Sequence, residues 1–485
     1  AYLPDFLHDV SRRPFLSHSP KMACQMEGWA DDYGQDFEVR ILGQRCIVVI
    51  DPVEIRRIAT LRPSKFRRGL NEHQFTRAGR MLGVAPSMFF NEGSAWGRSR
   101  RIISPSFHRQ NVDDMIPAMT VIADRLLRWW STCAASGEVV DANDDLSRYA
   151  HDIIALAGLG LQAKSTEAKQ KRKECVTYDG IRCLIDTLMK IIYNPLASIG
   201  WVYLPSLLPW VRKAKHMSAQ MEEVVQGMVE RTRAELRRAR GETSTPANGG
   251  SYGSPPTKSG MDYKGKILRK IVSAGKDISN GERMSLSDEE VLREIKTIFI
   301  AGTDTTALTL SWALYYLTKN PDMHARCRKE ALEVAPNTDG LVSTPEQRSR
   351  LVYCSAVFQE TLRMKPAALR IVLHSTEDYT MRNGVKAPAG TAFFLMTRYA
   401  AISEKTFTRA KEFIPERWIE AEREEVLLGK GVGHKERTVR HSEEAFMAFG
   451  GGPRICPGQD VAKWEAAIIL AAACARFNFS LAPGQ

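Results

Sequence analysis

The chain reads as a mainly α protein with a small β-rich lobe, an α+β architecture. Three observations predict it. Along most of the 485-residue chain the apolar side chains recur at helical spacing. One stretch in the N-terminal part alternates apolar and polar residues, as a half-buried strand pair does. A capping signature at Ser287 opens an apolar-periodic run long enough to cross a whole domain.

The strand pair comes first. Phe37, Val39 and Ile41 alternate with polar residues, Gly43-Gln44 follows, and Cys46, Val48 and Ile50 alternate again, which predicts a β-hairpin. The segment 241–260 holds Ser, Thr, Pro, Gly and Asn with almost no large apolar residue. It cannot bury enough surface to offset its ordering entropy and is expected to be a disordered, linker-like surface loop. Ser287 is the expected N-cap and Glu290 the N3 partner of the long helix, which ends near Asn320-Pro321. About 30 residues at the α-helical rise give about 45–50 Å. Thr344-Pro345 predicts a further helix start, with Pro345 at N1. Leu351, Cys354, Phe358 and Leu362 then line one face until Pro366 ends the run.

A hydrophobic content of 44% and a charged content of 26% are globular values, so a sizeable core can form. The formal net charge of +12 suits an acidic protein partner or an anionic membrane surface, and equally an ordinary charge excess. No Lys/Arg run is interleaved with aromatics, which argues against nucleic acid as a partner. Nine cysteines are spread thinly, without CxxC or zinc spacing, and predict a reducing, intracellular compartment. The longest apolar region, 191–211, is broken by Asn194, Pro195, Pro205 and Pro209, so no spanning segment is expected within the chain. A soluble protein and one whose membrane anchor precedes Ala1 are both compatible with this.

The chemistry concentrates in Phe449-Gly450-Gly451-Gly452-Pro453-Arg454-Ile455-Cys456-Pro457-Gly458. A thiolate at Cys456 needs stabilisation to persist at neutral pH; backbone N–H groups at a helix start supply it, as does a ferric ion. The glycines let the backbone approach a flat macrocycle, Arg454 can reach a haem propionate, and Phe449 can pack beside the sulfur. A lone cysteine here would be read as a buried structural one; this company argues for a ligand.

Phe449, Gly452, Arg454, Cys456 and Gly458 meet the pattern Phe-x-x-Gly-x-Arg-x-Cys-x-Gly, which resembles the haem-binding signature of the cytochromes P-450, the haem-thiolate monooxygenases, in their eukaryotic microsomal form. Ala301-Gly302-Thr303-Asp304-Thr305-Thr306 resembles the family's acid–alcohol stretch. Ala301, Asp304 and Thr305 share a helix face, and Thr305 can bond back to the Ala301 carbonyl and open a notch. Glu360 and Arg363, at i and i+3, together with Arg417 resemble the family's buried structural triad. Trp96 and Arg100, at i and i+4, resemble its propionate-binding pair.

The resemblance implies one cytochrome P-450 domain over 1–485, truncated at both ends, with a long central helix crossing over haem b (iron protoporphyrin IX). It implies Cys456 as the axial ligand of the iron; Trp96, Arg100, Ala301, Phe449, Arg454 and Gly458 as haem-binding residues; and Asp304 and Thr305 as organisers of proton delivery. It implies a small, mainly apolar substrate and O2 in a distal pocket built from 75–90, 183–210, 300–305 and 367–372. Electrons would come indirectly from NADPH through a reductase or ferredoxin. That partner would dock on a basic proximal face near Arg98, Arg101, His108 and Arg109. Association with the endoplasmic reticulum would need an anchor preceding Ala1. In many relatives a basic propionate ligand lies ten residues after the triad's helical arginine; here that place holds Leu373, flanked by Arg370 and His374, and Arg370 is the expected substitute. The alternatives are a haem-thiolate isomerase or dehydratase acting on a peroxide without a reductase, and a non-catalytic haem-thiolate ligand-binding protein. Asp304 and Thr305 argue against both.

Overall fold

The computed structural model describes residues 20–41, 44–68, 72–192, 208–241, 265–273, 278–279, 282–283, 285–419 and 445–482. The hairpin turn at 42–43 and nearly all of the expected 241–260 loop lie outside the described residues.

The β lobe is a five-stranded sheet. Its strands are β1 (Phe37–Ile41), β2 (Gln44–Val49), β3 (Phe66–Arg68), β4 (Ile371–Ser375) and β5 (Ala392–Leu395), in the spatial order β1-β2-β5-β4-β3. The expected hairpin is the antiparallel β1–β2 pair, with Val39 opposite Cys46. β2 and β5 run parallel, whereas β5–β4 and β4–β3 are antiparallel. Sheet residues from opposite ends of the chain thus share two apolar clusters, one containing Ile47, Phe66, Leu373 and Phe393, the other Cys46, Val48 and Phe394.

The helices that frame the site are α1 (Pro52–Thr60), α2 (Gly93–Ile103), α3 (Ile116–Ser136), α4 (Ala142–Ile153), α5 (Val176–Ile192), α6 (Pro209–Ala239), α7 (Asp288–Lys319), α8 (Pro321–Val334), α9 (Val352–Met364) and α10 (Gln459–Arg476). α7 is the long helix, 32 residues, and both halves of its capping box form: Ser287 Oγ accepts from Glu290 N and Glu290 Oε2 accepts from Ser287 N. It packs against α4, α5, α6, α9 and α10. Fully buried His151 of α4 ties three of these helices together. Its Nε2 lies 2.9 Å from Thr177 Oγ1, its Nδ1 lies 3.4 Å from Thr303 Oγ1, and its ring stacks on Phe299. Burial holds this imidazole neutral, its pKa driven down to about 3.

The run from Thr344 is not one helix. A short helix, Pro345–Ser349, is capped by Thr344 as expected, then the chain breaks and α9 starts at Val352. The cause lies in another helix: buried Glu330 of α8 accepts from Tyr353 N at 2.6 Å and Cys354 N at 2.9 Å, so it caps α9 from outside. α10 follows the cysteine loop and is buried nearly all round; its alanines 466, 467, 471, 472 and 473 allow α3, α8 and α9 to approach closely.

Candidate haem-thiolate site

The loop that carries Cys456 is shaped by its glycines. Gly450 has φ +78° and Gly452 φ +62°, a region where side chains are strained. At Gly452 space is short as well: a Cβ there would lie 2.4 Å from the Ala59 carbonyl oxygen at the end of α1. The loop therefore rests directly on α1. Cys456 N donates to the Phe449 carbonyl at 2.9 Å, closing the loop, and Gly458 N-caps α10. Burial pushes the Cys456 thiol up, while the Gly458 backbone N–H and the cations Arg100 and Lys463 oppose that. Lys463 also lies over the Phe449 ring at 5.4 Å.

Beside the loop the structure gathers a cationic cage. The Arg454 guanidinium stacks on Trp96 at 4.4 Å and donates to the Met88 carbonyl at 3.3 Å, and to the Asn91 carbonyl and Glu92 Oε2 at 2.5 Å each. Arg62 also donates to Glu92, at 2.8 Å, and Arg68 Nε stands 4.0 Å from it. Burial, then the neighbouring Arg62, depresses the Arg454 pKa to about 10. Arg100 makes no ion pair among the described residues, and burial lowers its pKa. Trp96, Arg100, Arg454 and Cys456 are therefore brought together as expected. Glu92 and Arg62 were not expected; no local spacing signals them, because Arg62 and Arg454 lie at opposite ends of the chain. Arg370 takes a different place: its guanidinium lies over the Phe394 ring at 5.7 Å, and it does not line the pocket formed by Ala59, Arg62, Ile371, Leu373, Gly450, Gly451 and Arg454.

On α7 the expected bond from Thr305 back to Ala301 forms, within an uninterrupted helix. Thr305 Oγ1 donates to the Ala301 carbonyl at 2.7 Å, and Ala301 and Thr305 are exposed on a stretch whose other members are buried or half-buried. Gly302 has a packing role: a Cβ there would meet Ile154 at 2.7 Å, where α4 runs into a π turn. Asp304 is held by Arg182 of α5 at 3.5 Å; burial raises its pKa and Arg182 opposes the rise. Thr306, on the far side, donates to Glu465 of α10, a fully buried carboxyl raised by desolvation to about 8.

Glu360 is a hub. Its two oxygens accept from Arg363 Nε at 2.9 Å and Nη2 at 2.8 Å, and from Arg417 Nε, Trp418 Nε1 and Ile414 N at 2.9 Å each. Arg363 also donates to the Ala401, Ala410 and Glu412 carbonyls. The triad is thus buried and bonded to backbone, with Trp418 as a fourth member.

The expected distal residues are described in part. The Phe75 side chain and residues 193–207 lie outside the described residues. Phe89 is exposed and meets buried Phe90 edge-on at 5.2 Å, Ile300 and Val372 are half-buried, and Ala367 is exposed. The basic face includes exposed Arg101, His108 and Arg109; Arg98 instead pairs with Glu290 and donates to the Ser285 carbonyl at 3.1 Å.

These residues fit a haem. The cage holds a surplus of buried positive charge, Arg62 Nε and Arg454 Nε are buried without hydrogen-bond partners, and the loop is pressed against α1 at Gly452, where a Cβ would not fit. A mainly α fold that carries a thiol loop bounded by a cationic cage, and a long central helix with an acid–alcohol pair, suits a haem-thiolate protein. The profile of the Cytochrome P450 family matches residues 14–485, and the chain belongs to that family. It is 26% identical over 399 residues to an 11-oxo-beta-amyrin 30-oxidase of Glycyrrhiza uralensis, covering 81% of this chain and 66% of that one. It is 25% identical to cytochrome P450 monooxygenase claQ of Ampulloclitocybe clavipes, covering 97% of this chain and 84% of that one. Its fold matches the crystal structure of the cytochrome P450DA heme domain with a TM-score of 0.71 at 22% identity, over 93% of this chain and 86% of that one.

Proposed function

We propose that the protein is a monooxygenase that inserts one oxygen atom of O2 into a mainly apolar organic substrate. The Ala301–Thr305 turn of α7 carries this reading: Thr305 spends its hydroxyl proton on the Ala301 carbonyl, and an acid stands beside it at Asp304. When bound, haem supplies the activation of O2 and the oxygen transfer.

The chain's residues do the rest. Cys456 provides the thiolate donor, with Arg100 and Lys463 as nearby cations that favour its anion. Arg454, Trp96 and Arg100 hold and orient the propionate edge. The Thr305 oxygen keeps its lone pairs toward the exposed face and so accepts a hydrogen bond there. Asp304 is partly exposed, at 29%, and raised by burial, which suits a group that takes a proton from the surface and releases it inward. Its bond to Arg182 sets its resting pose. Half-buried Ile300 and Met88, which pack against the same apolar cluster, offer an apolar surface to the substrate.

Electrons come from NADPH through a reductase or ferredoxin that meets the basic face at Arg101, His108 and Arg109. Arg98 is occupied by Glu290 and contributes less. Among the described residues no helix is long and apolar enough to cross a membrane.

The test is turnover with a reductase present. NADPH and O2 should disappear in step with hydroxylated product, and Thr305→Ala should consume NADPH while product per NADPH falls several-fold. Conversion of a peroxide with no reductase, unaffected by Thr305→Ala, would instead identify an isomerase.

A further inference from the structure

We propose that Arg62 is a propionate-binding residue of the haem site and supplies the cation that Leu373 does not. The inference rests on the haem-thiolate reading above and adds to it a residue that the sequence pattern did not single out.

The position that should carry a base is apolar and faces inward. Leu373 is 1% exposed and lines the pocket beside the cysteine loop. Its two basic neighbours are turned elsewhere. Arg370 lies over Phe394, and His374 Nδ1 lies 3.0 Å from the Arg68 carbonyl, on the line of the β3–β4 pairing. Neither lines that pocket, whereas Arg62 does, together with Arg454, Gly450 and Gly451.

The local chain explains how Arg62 gets there. Asp51 caps α1 through Val53 N and Glu54 N, and α1 runs until Leu61 N closes its last turn on the Arg57 carbonyl. The end of α1 is the surface on which Gly452 rests. Arg62 is the residue that follows, so its guanidinium emerges where the cysteine loop passes.

Charge decides the ligand. Arg62 and Arg454, 10% and 8% exposed, share one buried carboxylate, Glu92, with Arg68 at 4.0 Å and Arg100 nearby. One carboxylate cannot balance these cations, and burying surplus charge is costly unless anions join it. Two Nε–H groups, one on each arginine, are buried with no acceptor. A pair of carboxylates on one ligand edge supplies both the charge and the acceptors. Arg68 competes less well for that role: its guanidinium sits over the Phe89 ring at 4.3 Å and donates to the Phe89 carbonyl, facing the 84–92 segment. Glu92 is then a positioning residue that holds the two guanidiniums in place.

The experiment compares native haem with its dimethyl ester, in which the propionates carry no charge, in wild-type protein and in Arg62→Met. Dissociation is followed by transfer of the pigment to an acceptor apoprotein. Native haem should leave Arg62→Met about tenfold faster than wild type, as expected for one charge-assisted hydrogen bond. The ester should leave both proteins at the same rate, and Arg62→Lys should restore part of the native-haem difference. Loss of native haem at the wild-type rate would overturn the assignment. So would an ester that leaves Arg62→Met as much faster as native haem does, because that would mark a purely structural arginine. The thiolate-type spectrum should persist in both variants; a wild type without it would overturn the haem-thiolate reading itself.

Discussion

Glu294 sits near the N-terminal end of α7, 2% exposed, and accepts from Met88 N at 2.7 Å and from the Ser99 hydroxyl. Met88 is gripped from the other side too, since its carbonyl accepts from Arg454. Burial raises the Glu294 pKa from 4.5 to about 7, with nearby Glu290 adding to the rise and Arg98 opposing it. The folded state therefore holds this proton more tightly than the unfolded chain. Stability falls as pH rises from about 4.5 to about 7 and is level above that, by roughly 3 kcal/mol at most. Glu294→Gln should remove that part of the dependence: denaturant melts at pH 8 should favour the variant, and the gap should close below pH 4.5. A gap independent of pH would show that Glu294 is not the titrating group. At this scale the sequence was informative where chemistry is local. Cys456, Arg454, Asp304 and Thr305 stand at fixed short spacings that have a physical meaning. Glu294, Glu92, Arg62 and Arg182 owe their roles to partners hundreds of residues away or on other helices, so no spacing could reveal them.

Elements show the same division. The α7 capping box is written in four consecutive residues and forms as read. The break between Pro345–Ser349 and α9 is not, because the carboxylate that starts α9 comes from Glu330 of α8. Glu330→Ala would leave two buried N–H groups without acceptors and should cost about 2–5 kcal/mol in chemical denaturation. Gly302 was legible as a weak point in a helix; the reason for it, contact with Ile154 across the α4–α7 crossing, was not. Gly302→Ala puts a methyl into that contact and should destabilise by about 1–3 kcal/mol, with the crossing forced apart. A neutral result by thermal or denaturant melting would mean that Ile154 repacks freely.

Across the molecule, the Glu360 hub links α9 to the 401–418 segment, which leads toward the cysteine loop. The order of Glu360, Arg363, Arg417 and Cys456 along the chain made that link readable, while the fourth donor, Trp418, emerged only from the fold. Arg417→Met leaves Glu360 short of one buried partner, a loss of about 3–5 kcal/mol. The variant should retain helix content but lose haem, measured by the ratio of Soret to protein absorbance. The α+β class was legible because helical and strand periodicities are local signals. The sheet order β1-β2-β5-β4-β3 was not, since it joins β strands separated by most of the chain.

The central claim is that Cys456 gives its sulfur to haem iron. The direct measurement is the absorbance of the reduced, CO-bound protein after haem loading. Wild type should show the long-wavelength Soret band of thiolate ligation, and Cys456→Ala should lose it. An imidazole-type band in the wild type, or a thiolate band that survives in Cys456→Ala, would contradict the account.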